Sequence, residues 1–354
     1  MAEKALREGM ADMIMLGRPL LADPEWPNKA YAGRVEEIRP CIGCQEGCIN
    51  EFVDGGHPQC AVNPRTAFEH VYPDIPAKAD VKKKIAVVGA GPAGIVFALT
   101  AASRGHEVDL VEKGSAVGGR LIPGSRPRIK FDVDNYRRYL AREAGKAAAE
   151  GKISLRLNTV LTAEELKAAG YDTVVFAIGT KNAVPPIPGI EKANAVQAVD
   201  ALMDDALLAG KKKAVVIGGG VVGCETAYYL KYEKDMDVTV VEMLPYLMDG
   251  ACTANRGHLI YYLKKAGVRL INCARVTGFP EGKVKVSRNT HKNVPDPYNT
   301  WSPILPKNIE NPLAPRLGEE MRDEELETDL VVLATGGRPD DALFFEAQKL
   351  RAAP

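Results

Sequence analysis

Residues Lys84 to Gly94 read KIAVVGAGPAG: an apolar stretch suited to a buried strand, then Gly89-x-Gly91-x-x-Gly94 opening a helix expected from about Pro92 to Arg104. A second strand, Glu107 to Val111, leads into Glu112, 18 residues beyond the third glycine. Each part has a mechanical task. The first glycine permits a tight turn, the second lets a pyrophosphate approach the backbone, and the third lets the helix pack close to the strand. The pyrophosphate charge rests on the helix N-terminus, and the acid accepts hydrogen bonds from adenosine ribose hydroxyls. A lone glycine triplet is equally a turn in any α/β protein. Strand, triplet, helix, strand and acid in that order read as a dinucleotide site.

The pattern returns at Ala214 to Gly223 (AVVIGGGVVG), with Gly218, Gly220 and Gly223, a helix expected from about Val222 to Lys231, and a strand Val238 to Val241 ending at Glu242. A carboxylate there repels a 2'-phosphate, and no arginine directly follows to receive one, so NADH is favoured over NADPH. After each copy comes a buried strand with a small-residue turn, TVVFAIGT at 173–180 and DLVVLATG at 329–336, followed by Pro185 and Pro339. The fold expected is α/β with two Rossmann-like units.

This pairing resembles the two-dinucleotide-binding-domain flavoproteins, in which the first site holds FAD and the second, inserted into the first, holds NAD(P)H. In that family a glycine pair after the acid, here Gly118-Gly119-Arg120, lines the FAD side. The resemblance implies that Gly89, Gly91, Gly94, Glu112, Gly119 and Arg120 hold FAD, and that Gly218, Gly220, Gly223 and Glu242 hold NADH. Two such sites face each other for hydride transfer, and the cofactors carry the chemistry. Disulfide reductases of this kind also need a close cysteine pair near the flavin, and Cys224, Cys252 and Cys273 offer neither CxxC nor CxxxxC.

The remaining four of seven cysteines lie in Pro40 to Pro64 (PCIGCQEGCINEFVDGGHPQCAVNP), as Cys41, Cys44, Cys48 and Cys60 with C-x2-C-x3-C-x11-C spacing. An odd cysteine count in a long chain reads as a metal site in a reducing compartment rather than a disulfide framework. Four soft sulfur ligands suit a tetrahedral zinc or an iron–sulfur cluster. Zinc ribbons place two CxxC knuckles well apart; three cysteines close together plus a distant fourth suit a [4Fe-4S] cubane. Turns at Gly47, Gly55 and Gly56 fit a loop whose backbone N–H groups face sulfur, and Pro64 helps fix a turn after the last cysteine.

The order of a strand at Ala11 to Arg18, a cysteine cluster, an FAD fold and an NAD fold resembles the iron–sulfur flavoenzymes related to old yellow enzyme. These include 2,4-dienoyl-CoA reductase, 2-enoate reductase, bile-acid-inducible oxidoreductases and trimethylamine dehydrogenase. The cysteine spacing resembles the dienoyl-CoA and enoate reductase branch. By that resemblance ADMIMLGRPLLADPEW (11–26) is the last strand and phosphate turn of a TIM barrel that binds FMN, with Gly17 and Arg18 at the phosphate. It implies electron flow from NADH to FAD, through the cluster to FMN, and reduction of an activated C=C bond in enoates or enoyl thioesters.

The domains expected are a barrel remnant at 1–39, the cluster segment at 40–72, a Pro- and Lys-rich linker at 73–84, the FAD fold at 85–195, the NAD fold at 196–328 with a polar insert at 287–326, and a return to the FAD fold at 329–354. The barrel of roughly 250 residues and a Gly-Asp segment closing the FAD site have no counterpart, so the chain reads as a piece of a longer protein or a split subunit. Another reading is a non-catalytic electron-transfer subunit, or a nucleotide-binding scaffold, serving a separate FMN protein. The insert reads as a surface hairpin, or as a docking surface anchored by Tyr298 and Trp301. The histidines, His57, His70, His106, His258 and His291, are dispersed, and none is assigned to catalysis.

The 46 basic and 46 acidic residues cancel, which removes the surplus cation density that nucleic acid or an anionic membrane needs. No run of 18 apolar residues occurs, and Met1 to Met10 (MAEKALREGM) is charged rather than a basic end before an apolar run, so neither membrane insertion nor export is expected. The expectation is a cytoplasmic oxidoreductase that meets a small-molecule substrate in the full protein and pairs with copies of itself or with an FMN barrel.

Overall fold

The computed structural model describes residues 2–53, 55–73, 76–193, 195–300 and 316–352. Its centre is the same supersecondary unit built twice. In the first, β1 (Lys84–Val88) pairs in parallel with β2 (Glu107–Val111) on one side and β4 (Thr173–Phe176) on the other, and β3 (Ser154–Arg156) extends the sheet beyond β2. Helix Pro92–Ser103 crosses from β1 to β2, and helix Phe131–Ala149 from β2 to β3. Proline at the first helical position suits the fixed φ and costs no backbone bond. The helix buries Gly94, Ile95, Ala98 and Ala101 on the sheet.

The second sheet has the order β6-β13-β7-β8-β9, all parallel: Ala195–Gln197, Leu330–Leu333, Lys213–Ile217, Asp237–Val241 and Arg269–Ile271. Helices Val221–Tyr232 and Thr253–Lys265 make its crossovers. Apart from β6, the chain order of strands matches the first sheet. An antiparallel meander of β10 (Ala274–Gly278), β11 (Lys283–Asn289) and β12 (Met321–Glu327) folds over the second sheet, closing an apolar layer that includes Val284, Val286 and Leu326. Where the chain passes into the second unit and returns, β5 (Thr180–Asn182) and β14 (Gly337–Pro339) pair antiparallel.

Three expectations need correction. Residues Ala11 to Leu16 form no strand; Met13 and Met15 are 86% and 97% exposed. A strand is made by a neighbour's ladder, and none of the described strands runs beside this stretch. Gly17 instead caps a short helix, Arg18–Ala22. The second unit also extends past 328: β13 pairs on both sides within its sheet, and all four of its residues are buried, so it is the second fold's closing strand and the return begins after it. Helix Ala342–Ala352 lies on the first unit, with Leu343 packed on the outer face of the first sheet and Phe344 edge-on to Phe176 at 5.7 Å. The strand after the first copy, finally, stops at Phe176 and is half-buried, because β4 is an edge strand.

The insert's ends are strands β11 and β12. Tyr298 is no free anchor: its hydroxyl donates to the Val268 carbonyl at 2.8 Å and accepts from Leu270 N at 3.2 Å. Trp301 lies outside the described residues. Among the described residues no helix is long and apolar enough to cross a membrane.

Candidate functional site

The two glycine turns are superposable in their contacts. A Cβ on Gly89 would stand 2.3 Å from the Ala177 carbonyl oxygen, and one on Gly218 2.5 Å from that of Ala334. Both have φ near +105°, which favours glycine. A Cβ on Gly94 or Gly223 would lie 1.9 Å from the carbonyl oxygen of the first glycine of its own turn. Gly91 and Gly220 have nothing within 4 Å, so the second glycine of each turn opens onto free space at a helix N-terminus.

The acids repeat as well. Glu112 accepts from Ala90 N at 2.9 Å and Gly114 N at 2.8 Å; Glu242 accepts from Gly219 N at 2.6 Å and Leu244 N at 2.8 Å. A carboxylate offers about four acceptor positions, so each keeps capacity for hydroxyl donors after ordering its own turn. The Gly118-Gly119 pair folds over the first turn: Gly118 N donates to the Ala90 carbonyl at 2.8 Å, and a Cβ on Gly119 would stand 2.9 Å from Gly91 Cα. Arg120 reaches across to donate to the Thr180 carbonyl at 2.7 Å.

A cavity of about 1160 Å³ starts at the second turn and runs to the first unit. Gly218, Gly220, Val222 and Glu242 of the second unit line it together with Arg120 and Pro123 of the first. Glu225 lines it too and pairs with Lys130 at 2.6 Å. Neither partner was singled out from sequence, although Glu225 stands two residues beyond Gly223 and Lys130 ends an alternating basic run with Arg126 and Arg128. Arg275, equally unforeseen, also lines the cavity.

No cysteine lines this cavity. Cys224 is fully buried, and burial pushes its thiol up to about 12, which removes it as a thiolate nucleophile. All seven cysteines are free.

Cys41, Cys44, Cys48 and Cys60 are half-buried together. Burial pushes the Cys44 thiol up, and repulsion from Cys48, Cys60 and Cys41 adds to it, so all three lie within electrostatic reach. The loop holding them is sharply turned: Gly43 has φ +64° and Gln45 +59°, and Cys48 sits in a π-helical turn, Glu46–Asn50. Gly43 N donates to Cys41 Sγ at 3.4 Å. Gly47 is pinned against Gln59, where a Cβ would stand 2.9 Å from the carbonyl oxygen. Cys41 and Cys60 pack on the first unit's core, near Tyr136, whose hydroxyl burial pushes up to about 12. Among the described residues no three His, Cys, Asp or Glu side chains gather closely enough for a single metal ion.

Gly17 and Arg18 stand exposed at the start of a five-residue helix, away from both glycine turns in sequence. His57 stacks on Phe68 at 5.5 Å.

Residues 83–353 match the family model described as pyridine nucleotide-disulphide oxidoreductase. An NADH oxidase of Thermoanaerobacter brockii is 38% identical over 96% of this chain and 47% of its own length. A cinnamate reductase of Clostridium sporogenes is 37% identical over 75% of the chain and 38% of its own length. A solved 2-naphthoyl-CoA reductase complex superposes with a TM-score of 0.82 at 30% identity, covering 98% of this chain and 47% of that one. The chain thus spans about half or less of the length of the relatives it matches. A multifunctional alkene reductase of the old yellow enzyme type from Caballeronia cordobensis also matches, at 30% identity over 69% of the chain and 35% of its own length. The duplicated turns, their acids and these matches agree: the chain belongs to the pyridine nucleotide-disulphide oxidoreductase family, in the group related to old yellow enzyme.

Proposed function

We propose that this chain is the NADH-oxidising half of a flavin oxidoreductase, binding FAD at the first glycine turn, NADH at the second and a [4Fe-4S] cluster at Cys41, Cys44, Cys48 and Cys60. The cavity from Glu242 to Arg120 carries the reading, because it gives a dinucleotide held at the second turn a path to the first unit. When bound, FAD supplies exchange between two-electron and one-electron chemistry, and the cluster supplies one-electron conduction.

The chain's own residues bind and orient. Gly91 and Gly220 leave room for a pyrophosphate at the N-termini of two twelve-residue helices. Glu112 and Glu242 take the ribose hydroxyls, and a 2'-phosphate at Glu242 would meet a carboxylate, which favours NADH. The four thiols suit a cluster: they are half-buried, Cys44 lies within electrostatic reach of the other three, and one sulfur accepts a backbone N–H. With Cys224 buried and no cysteine on the cavity wall, electrons leave through the cluster rather than through a disulfide.

In the whole protein the acceptor would be FMN on a separate barrel, with Gly17 and Arg18 contributing to its phosphate site, and the reaction would be reduction of an activated C=C bond. The cinnamate and 2-naphthoyl-CoA reductases among the relatives support that substrate class.

Anaerobic purification with metal analysis tests the cluster. About four irons per chain and broad visible absorption are expected; a colourless protein with one zinc sinks it. NADH-dependent reduction of ferricyanide with FAD added tests the redox function, and no rate above background removes it.

A further inference from the structure

The four cysteines are held by two different units. Cys41 and Cys60 pack on the core of the first unit. The loop that carries Cys44 and leads into Cys48 is tied instead to the second unit, through three consecutive residues. Asn255 Nδ2 donates to the Cys44 carbonyl at 2.5 Å, Gln45 Nε2 donates to Asn255 Oδ1 at 3.4 Å, and Cys252 N donates to Glu46 Oε1 at 3.0 Å. Residues 44–46 are more than 200 positions away in sequence, so only the fold brings these groups together.

Both sides gain from the contact. Helix Thr253–Lys265 has no side-chain cap at Cys252, and the Glu46 carboxylate satisfies one of its orphan N–H groups at the end where negative charge is favoured. Gln45 holds a left-handed conformation, which a non-glycine residue keeps only when its surroundings fix it. Asn255 does that by bonding the carbonyl before it and the side chain of Gln45 itself.

We propose that Asn255 and Glu46 are positioning residues for the cysteine loop: the start of a helix in the NADH unit sets where Cys44 and Cys48 stand relative to Cys41 and Cys60. This rests on the cluster reading above. The cluster's seat is then a joint between the two dinucleotide units rather than a property of the cysteine segment alone.

The 354-residue chain is purified anaerobically as wild type, Asn255→Asp, Glu46→Ala and Glu46→Gln. Iron content, the electron paramagnetic resonance spectrum of the reduced cluster, its midpoint potential and the rate of iron loss to a chelator are measured. Asn255→Asp keeps the size but replaces the donor facing the Cys44 carbonyl with an acceptor. It is expected to alter the spectrum and potential and to speed iron loss on the order of 10-fold. Glu46→Ala should act in the same direction. Glu46→Gln, which keeps an acceptor for Cys252 N, should restore the wild-type spectrum and so separates positioning from general destabilisation. Wild-type spectra, potentials and chelation rates in both Asn255→Asp and Glu46→Ala, with iron present, overturn the proposal alone. An iron-free wild type overturns the cluster reading and the proposal with it.

Discussion

Gly220 and Gly223 are three residues apart, and they separate binding from packing. A methyl on Gly223 meets the Gly218 carbonyl oxygen at 1.9 Å, backbone against backbone, so nothing yields without moving the turn. Gly223→Ala should cost about 2 kcal/mol or more, within the overpacking range, read as a lower unfolding midpoint together with loss of NADH binding. A methyl on Gly220 meets nothing, and its φ of −67° suits alanine, so Gly220→Ala should unfold like wild type while KM for NADH rises about 10-fold, because the methyl stands where a phosphate approaches. Glu242→Gln tests the acid. It is 8% exposed and bonded by two backbone N–H groups, and an amide presents one N–H2 to a donor, leaving a buried clash of donors worth about 1–3 kcal/mol. Calorimetry should show that loss, and NADH titration a weaker affinity. These residues were legible in the sequence because backbone geometry dictates them locally. Asn255 and Glu46 were not, since an asparagine in a helix and a glutamate in a loop carry no signal until the fold sets them against each other.

The segment Ser125 to Lys130 shows how an element joins the two units. Its alternating cations face acids of the second unit: Arg126 pairs with Asp205 at 3.5 Å, the backbone N of Arg128 donates to Glu233 at 2.7 Å, and Lys130 pairs with Glu225 at 2.6 Å. Asp205 is the member whose carboxyl is shifted. Hydrogen bonds from Lys234 and the Tyr229 hydroxyl hold its carboxyl below the ordinary value of 3.8. The folded chain therefore binds this proton less readily than the unfolded chain does. Its contribution to stability is complete above pH 3.8 and fades as pH falls through the depressed value. The difference in unfolding midpoint between wild type and Asp205→Asn should accordingly stay level between neutrality and mild acid, then shrink in stronger acid. A difference that grows on acidification would contradict the assignment. At this scale the sequence was partly legible. Both glycine-turn helices begin within a residue of expectation, because Pro92 and the glycine spacing mark their starts. The strand expected at Ala11 to Leu16 failed because a run of apolar residues names no partner, and pairing is what makes a strand.

At the scale of the molecule, the repeat of β1–β4 in β7, β8, β9 and β13 could be read from two copies of one motif, but the placement of one copy on the other could not. That placement depends on the β5–β14 ladder, the ionic segment at Arg126 to Lys130 and the cysteine loop at the N-terminus of helix Thr253–Lys265. It creates the cavity, so on the proposed reading the route between the dinucleotides and the seat of the cysteine loop come from the same arrangement of units. The two functions are nevertheless separable in space, because no cysteine lines the cavity. Cys48→Ala removes one thiol from the π-helical turn and leaves both glycine turns, both acids and the cavity wall untouched. The variant should lose its iron and keep NADH-driven bleaching of the bound flavin, followed by stopped-flow absorption under anaerobic conditions. Loss of bleaching with FAD still bound would mean that the cysteine loop also fixes the distance between the dinucleotide units, and would extend the proposed hydride path from the cavity to the joint at the cysteine loop.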